Sequence, residues 1–348
     1  MSHQIIRRRP EHDLEILALY AEVFGERTLE RSRERWRWQY LDNPNNGDDG
    51  PVIWIAVEGD RVLGQMATMP FPMWWGGSEV PASAGMDYFV RKEAQGRGLG
   101  IALSEAWADH VDVALALGLT RSSYPLFQKI FTDVGPMPAY LKVLDATAVA
   151  RRRWGPVAGA VAGPLLGLGL RLFSRRLAPG DGIEVCEVSS VTEEYDDLWA
   201  RVRASFATAV RRDARYLVWK YVQCPFRDYR LLEARTRGVL TGFAVVRAEG
   251  GVSFPRGVIT DLFCDARDTA VQDTLIDAAL DMFRERQCAR AETYTMSAAL
   301  GAAFGRHGFR SGRTAIQYCV AHRHASAEPL SRLPAWHLVL GDGDLDRA

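Results

Sequence analysis

A short aromatic motif occurs twice in this 348-residue chain with the same internal spacing. It reads WQYLDNP over Trp38–Pro44 and WKYVQCP over Trp219–Pro225, which keeps Trp, Tyr and Pro in register. A strand-like segment containing an aspartate follows in each half, at Met86–Val90 and at Thr260–Cys264, and each is succeeded by a long helix-like run. The same order at a nearly constant offset indicates two copies of one fold.

The repeat divides the chain into segments. We predict a first domain at 1–150, an apolar Gly/Pro linker at 151–180, a second, related domain at 181–325 and a tail at 326–348. The length agrees with this division, because 348 residues exceed one hydrophobic core of ordinary size.

Apolar periodicity and turn residues predict the elements of the first domain. In chain order they are helices at 13–24 and 30–41, strands at 52–57, 62–75 and 81–90, a helix at 98–117, a strand at 119–122, a helix at 125–134 and a final strand at 140–145. This order predicts a mixed α/β fold with helices on both faces of a sheet.

Composition excludes several classes of function. The 43 basic and 43 acidic residues balance, so no global field would hold nucleic acid or an anionic membrane. The five cysteines are scattered without a C-x-x-C pair and the seven histidines lack ligand spacing, which argues against a disulfide framework and a metal site. The charged segment Met1–Leu14 does not resemble a secretory signal, so we expect a cytoplasmic protein.

The linker is the most apolar stretch of the chain. Its centre, Trp154–Leu170, contains several glycines and prolines and is bracketed by Arg151–Arg153 and by Arg171, Arg175 and Arg176. Seventeen residues are at the short limit for crossing a bilayer, and the prolines weaken a continuous helix. Three interpretations stay open: a linker covered by protein, membrane-surface contact through 151–176, or a membrane span.

A glycine-rich loop carries the strongest chemical signal. The strand ending at Val90 leads into Gln95–Gly100 (QGRGLG), and a helix begins there. Backbone amides at such a loop, aided by the helix dipole, bind a pyrophosphate. Gly98 and Gly100 would let a diphosphate approach the chain closely, and Arg97 could add a charged contact.

The segment Tyr88–Leu103 resembles motif A of the GNAT acyltransferases, whose signature R/Q-x-x-G-x-G/A falls on Gln95, Gly98 and Gly100. The resemblance implies two tandem GNAT-like domains, each a mixed, mostly antiparallel sheet flanked by helices, and acetyl-CoA as co-substrate without a metal. The implied coenzyme A contacts are Tyr88, Phe89, Val90, Gln95, Gly96, Arg97, Gly98, Leu99 and Gly100. The segment Trp336–Asp344 also resembles the tail of tandem-GNAT proteins associated with bacterial polysaccharide biosynthesis.

The second copy departs from this motif. Arg267–Thr274 occupies the place of the loop, contains no glycine and carries two acidic residues that would repel a diphosphate. We therefore expect only the first copy to bind coenzyme A.

The sequence gives a weaker signal for a catalytic acid and base than for the glycine loop. Acylation of an amine needs a base for the ammonium proton and an acid for the leaving thiolate. The tyrosine that many GNAT enzymes use as the acid is replaced by Phe131, so Tyr124 is the nearest substitute, with packing as its alternative role. Asp87 is the candidate base, because a carboxylate within a sheet needs a partner or a function. Asp261 repeats it, which leaves a shared structural role open.

These features favour an N-acyltransferase that moves an acyl group, in particular acetyl, from acetyl-CoA to a small-molecule amine, an amino sugar being one candidate. A non-catalytic acyl-CoA-binding or scaffold protein is the alternative suggested by Phe131 and by Phe304 at the same place in the second copy. A Fem-type aminoacyl-tRNA-dependent transferase is also a tandem of this fold, but the intact loop and the balanced charge count against it.

Overall fold

The computed structural model describes residues 3–24, 29–157, 159–161, 163, 167, 182–250, 254–312, 314, 316–344 and 346. The strands of this part of the chain are β1 (Gln4–Arg7), β2 (Ile53–Glu58), β3 (Arg61–Trp75), β4 (Ser78–Val90), β5 (Val113–Leu117), β6 (Thr132–Pro136), β7 (Ala139–Val143), β8 (Ile183–Val188), β9 (Thr208–Val210), β10 (Arg230–Thr236), β11 (Val239–Glu249), β12 (Arg256–Cys264), β13 (Arg290–Tyr294), β14 (Arg310–Gly312), β15 (Gln317–Ala321) and β16 (Trp336–His337). The α-helices are α1 (Asp13–Phe24), α2 (Leu29–Trp36), α3 (Leu99–Ala108), α4 (Tyr124–Ile130), α5 (Ala146–Trp154), α6 (Glu194–Val202), α7 (Ala214–Leu217), α8 (Thr269–Glu285) and α9 (Ala298–Arg306).

Two mixed sheets form the framework. The first has the strand order β1-β2-β3-β4-β5-β15-β6, and β9 joins it by pairing with the outer end of β3. The second has the order β14-β7-β13-β12-β11-β10-β8. Most neighbours are antiparallel, and β4–β5 and β12–β13 form the parallel pair at the same place in each sheet. The predicted fold class, two mixed and mostly antiparallel sheets flanked by helices, is confirmed.

The two halves exchange their last strands. We expected the strand near 140–145 to complete the first sheet, but β7 lies in the second sheet, between β13 and β14. In return β15, from the second half, pairs with β5 and β6 in the first sheet. Both exchanged strands occupy the same place beside the inner parallel strand. The apolar pattern of a strand is the same in either sheet, so it does not reveal which sheet the strand joins.

Three predicted elements of the first domain differ from the structure. The described residues 119–122 form no strand, and the helix expected at 125–134 ends at Ile130. The third difference has a reason related to the strand exchange. The helix expected at 98–117 ends at Ala108, and Val113–Leu117 is the parallel strand β5. Every residue of this VALAL run is buried. A short, continuously apolar run fits a buried parallel strand as well as a helix, and here the sheet determines its structure.

The repeated tryptophans form a two-fold contact between the halves. The indole of Trp38 donates to the Trp219 carbonyl, and the indole of Trp219 donates to the Trp38 carbonyl, each over 2.8 Å. The rings stack with centroids 5.4 Å apart. Both side chains are buried, so the repeated tryptophans pack between the two halves.

The Trp74–Trp75 hairpin lies over the seam between the halves. Trp75 is buried against Trp336, and its indole donates to the Ser326 carbonyl over 2.6 Å. The Arg203 guanidinium lies 5.1 Å from the centre of the Trp74 ring. The hairpin therefore packs at the seam between the two halves.

Much of the linker, namely 158, 162, 164–166 and 168–181, lies outside the described residues. In the part of the chain that is described, no helix combines the length and the apolar character needed to cross a membrane.

Candidate functional site

Divergence of the two parallel strands opens a cleft in the first sheet. Strands β4 and β5 pair only from Ala82–Gly85 to Val113–Ala116, and β4 then continues to Val90. A cleft of about 910 Å³ lies at the point of divergence. The backbone of the last β4 residues is thereby turned toward a cavity instead of a neighbouring strand.

A bulge in β4 bends the strand beside the cleft. Phe89 pairs with Gln65 and Met86 with Ala67, so two residues of β4 oppose the single Met66 of β3. Asp87, the first of the two, has a positive φ of 45°. A bulge of this kind re-aims side chains and increases the local twist, which accounts for the bend.

The glycine loop forms the rim of the cleft at the N-terminus of α3. Gly96 and Gly98 have φ values of 78° and 80°, a region that residues with a Cβ rarely adopt. A Cβ added at either position would meet no protein atom within 4 Å. Gly98 is the N-cap residue of α3, so the first amides of the helix follow directly from it. The arrangement is that of an anion site built from backbone.

Most of the predicted coenzyme A contacts line this cleft. The lining residues among them are Tyr88, Phe89, Val90, Gln95, Gly96, Gly98, Leu99 and Gly100. In this structure Arg97 instead pairs with Glu58, with Nη2 and Oε1 2.7 Å apart. This hydrogen bond lowers the pKa of Glu58.

The inner wall of the cleft is apolar and tightly packed. Met66, Trp107 and Phe127 line it together with Gly85. The Trp107 ring occupies the space that a Cβ at Gly85 would need, 2.5 Å from the ideal position. The Trp107 indole donates to Ser83 Oγ over 2.8 Å, which fixes the ring beneath the strands.

Asp87 also lines the cleft, and its carboxylate is enclosed by donors. Arg35 Nη2 is 2.7 Å from Asp87 Oδ1, and the Tyr20 hydroxyl donates to Oδ2 over 2.6 Å. The Tyr40 hydroxyl donates to the same oxygen. Burial, together with the charge of Asp87, raises the pKa of Tyr20 and of Tyr40 well above the usual value, so both remain donors.

The second copy repeats this arrangement. Arg212 Nε lies 3.0 Å from Asp261 Oδ2, and the Tyr221 hydroxyl donates to the same oxygen over 3.0 Å. All three residues are buried. In both halves the tyrosine of the aromatic motif is thus tied to the aspartate of the central strand. The repetition in a copy without the glycine loop favours a shared structural role for Asp87 and Asp261.

The tail fills the equivalent cleft of the second sheet. Strands β12 and β13 pair only over Arg256–Val258, and the tail enters beyond this point. The Met296 amide donates to the Leu338 carbonyl over 2.9 Å, and Asp342 Oδ1 lies 2.8 Å from Arg212 Nη2. The second divergence is therefore occupied by the chain itself, which supports a single coenzyme A site.

The same tail supplies a carboxylate to the first cleft. Asp344 lines that cleft, and its Oδ2 lies 3.7 Å from Arg35 Nη2. Its side chain is 25% exposed, compared with 7% for Asp87. Asp344 was not predicted as a site residue. The only signal was its place in the tail segment Trp336–Asp344, whose sequence does not reveal a contact with a loop far away in the chain.

Tyr124, the predicted acid, does not line the cleft, although the adjacent Ser123 does. Its hydroxyl donates to Asp133 on β6, and this hydrogen bond raises the pKa of Tyr124 to about 12. Tyr124 and Asp87 are therefore not brought together around one point of the cleft.

The described residues contain no group of three or more His, Cys, Asp or Glu side chains placed to hold a metal ion.

A comparison with models of protein families finds no match, and a comparison with curated protein sequences finds none either. Solved structures do match. A GCN5-related N-acetyltransferase from Anabaena variabilis aligns with a TM-score of 0.62 over 92% of this chain and 72% of its own, at 12% identity. The chain has a tandem GNAT fold. A probable N-acyltransferase from Enterococcus faecalis aligns with this chain with the same TM-score, the same identity and the same two coverages. The N-myristoyltransferase of Saccharomyces cerevisiae with bound myristoyl-CoA gives a TM-score of 0.55 at 12% identity, over 93% of this chain and 84% of its own.

Proposed function

We propose that this protein is an acyl-CoA-dependent N-acyltransferase that moves an acetyl group from acetyl-CoA to a small-molecule amine. The observation that carries the proposal is the cleft between β4 and β5, with a glycine loop and a helix N-terminus at its rim. The GNAT fold of the chain and the myristoyl-CoA bound in one structural neighbour support it.

The residues of the cleft fit coenzyme A. The diphosphate would lie against the amides from Gly96 to Gly100, where the N-terminus of α3 favours negative charge. The pantetheine arm is a chain of amides and can pair with the backbone of Tyr88–Val90, which faces the cleft. The thioester would then reach the divergence of the strands.

The reaction needs one proton acceptor near the thioester. The amine nitrogen attacks the carbonyl carbon, a C–N bond forms, and the C–S bond breaks with the electron pair leaving on sulfur. We assign the proton acceptor to Asp344, because it lines the cleft, is partly exposed and lies against Arg35. The proton that it takes from nitrogen can return to the departing thiolate. Asp87 would act as a positioning residue that holds Arg35 in place.

Three aspartate variants test these roles. Asp344→Asn should lower kcat by about 10²-fold while leaving acetyl-CoA affinity unchanged, as expected for loss of a general base. Asp87→Asn and Asp261→Asn should both lower the melting temperature, because each weakens a buried, charged hydrogen-bond cluster. Thiol release from acetyl-CoA, tested over a panel of amines that includes amino sugars, measures kcat. Calorimetry measures the affinity for acetyl-CoA, and thermal melts measure stability.

The outcomes separate the assignments. A fully active Asp344→Asn protein would remove Asp344 from the reaction. A stable Asp87→Asn protein that is inactive while Asp344→Asn keeps its activity would instead make Asp87 the base. Binding of acetyl-CoA without thiol release from any amine would favour the second candidate, a non-catalytic acyl-CoA-binding protein. The position of Tyr124 outside the cleft and the presence of Phe131 favour that candidate.

A further inference from the structure

A tryptophan lies at the inner end of the cleft, where β4 and β5 begin to diverge. Gly85 and Ala116 are the last residues at which the two strands pair, and both line the cleft. The Trp107 ring lies against Gly85, and its indole donates to Ser83 Oγ. Because residues two apart in a strand share a face, Trp107 covers the α3 face of β4 at the point of divergence.

Buried aromatic rings support Trp107 from behind. Its ring centroid lies 5.4 Å from that of Phe131 and 6.4 Å from that of Phe127, and the two phenylalanine centroids are 5.2 Å apart. All three side chains are buried. Since protein interiors are close-packed, Trp107 cannot move aside unless these neighbours repack.

The two faces of β4 offer different surroundings at this point. Trp107 and Phe127 line the cleft on the α3 face, which is apolar. Asp87 makes its hydrogen bonds to Tyr20 and Arg35, which belong to the helices α1 and α2. A hydrocarbon chain placed among these polar groups would separate them from their partners, which is costly in a buried site. An acyl chain in the cleft would therefore extend toward Trp107.

We propose that Trp107 limits the length of the acyl group, so that short groups such as acetyl and propionyl fit and hexanoyl is excluded. This inference rests on the proposed acyl-CoA site, which places the thioester at the divergence of the strands. The ring occupies the space into which the later carbons of a longer chain would extend. A tightly packed apolar pocket discriminates against even one extra methylene group by about tenfold or more.

The affinities for acetyl-CoA and hexanoyl-CoA, measured by calorimetry, test the limit. Binding needs no acceptor amine, so this assay is independent of catalysis. The wild type should bind hexanoyl-CoA about tenfold more weakly than acetyl-CoA, or worse. A buried cavity of about 150 Å³ holds a benzene molecule, so the space left by Trp107→Ala should accept the hexanoyl chain. Each buried methylene group adds about fourfold in affinity, so this variant should bind hexanoyl-CoA at least about tenfold more tightly than acetyl-CoA.

Two milder substitutions support the test, because an alanine leaves a large cavity that destabilises the protein. Trp107→Phe and Trp107→Leu remove less of the ring. Their ratio of hexanoyl-CoA to acetyl-CoA affinity should lie between the ratios of the wild type and of Trp107→Ala. A graded change in this ratio would not follow from a loss of stability alone.

Phe283 provides a matched control in the second sheet. Its ring is buried and occupies the space of a Cβ at Gly257, where β12 pairs with β13. Phe283→Ala should lower the melting temperature but keep the preference of the wild type for acetyl-CoA.

The results separate this inference from the function on which it rests. Equal affinity of the wild type for both acyl-CoAs would overturn the length limit alone. So would folded Trp107 variants that keep the preference of the wild type, or a change in preference that Phe283→Ala shares. If the wild type binds neither acyl-CoA, the proposed acyl-CoA site is overturned together with the limit.

Discussion

Gly98 and Gly238 form a matched pair of glycines for testing the coenzyme A site. Both have a φ of 80°, and an added Cβ would meet no protein atom within 4 Å at either position. Gly98 lines the cleft, whereas Gly238 lies in the turn between β10 and β11 of the second sheet. An alanine at each position should therefore cause the same backbone strain, but only one of the two would reach the ligand.

The expected magnitudes follow from this pairing. A side chain in the left-handed region costs about 1–2 kcal/mol of stability. Since each kcal/mol lowers the melting temperature by about 2–4 °C, both variants should melt a few degrees below the wild type. The open space around Gly98 is the cleft itself, so its methyl group would displace the diphosphate. We expect Gly98→Ala to weaken acetyl-CoA binding about tenfold or more, which is about 1.4 kcal/mol. Gly98→Asp adds a negative charge and should abolish binding.

Calorimetry with acetyl-CoA and thermal melts of the two alanine variants test whether the loop binds the diphosphate. Gly238→Ala should bind as the wild-type protein does, with one acetyl-CoA per chain. A folded Gly98→Ala protein with wild-type affinity would refute the loop assignment, and two equivalent sites per chain would refute the single cleft.

Three further outcomes are expected. Burial lowers the pKa of His337 to about 4, below its value of about 6.5 in the unfolded chain, so the unfolded state binds the extra proton and stability falls as pH drops through this window. The free energy of unfolding of the wild type relative to His337→Gln should therefore decrease by about 3 kcal/mol between about pH 6.5 and pH 4, and urea titrations that show a constant difference would contradict this. Gly100→Ala should destabilise the protein because its Cβ would overlap the Tyr88 hydroxyl. Thermal melts should show that adding Tyr88→Phe largely restores the stability. If Gly100→Ala lowers the melting temperature equally with Tyr88 and with Phe at position 88, the contact is contradicted. Residues 1–150 alone should show no cooperative melt in calorimetry, because β15 is missing beside β5; a folded fragment that binds acetyl-CoA would show that the exchange is dispensable.

Local pattern was sufficient to predict the loop and the repeat. The Gln95–Gly100 segment combines a strand end, glycines and a helix start within a few residues, so its backbone geometry is determined over a short range. The equivalence of Asp87 and Asp261 was also visible in the repeat. Both aspartates indeed anchor the tyrosine of the aromatic motif.

The partners of these aspartates could not be predicted. Arg35 stands three residues before Trp38. The equivalent position of the second copy, three residues before Trp219, is Tyr216 and not an arginine. The second copy instead takes its arginine from position 212, on the segment between β9 and α7. A buried carboxylate requires a compensating charge, but any nearby backbone position can supply it, so an alignment of the copies does not identify the residue.

Asp344 could not be predicted for a different reason. Its contact with Arg35 spans most of the chain, and no periodicity in the tail relates the two. The same tail fills the second divergence, where Asp342 Oδ1 lies 2.8 Å from Arg212 Nη2, so the position of Asp344 is set by tertiary packing and not by local pattern.

The strand exchange also affects how the protein is made. Strand β5, one wall of the cleft, leaves the ribosome about 200 residues before its neighbour β15, which corresponds to a delay of roughly 10–40 s at ordinary rates of synthesis. Throughout that interval one edge of the nascent first sheet is unpaired and open to association with other chains. Completion of the cleft is thus a late event in translation, and a premature stop before residue 317 would disable the first half without altering any residue of the glycine loop.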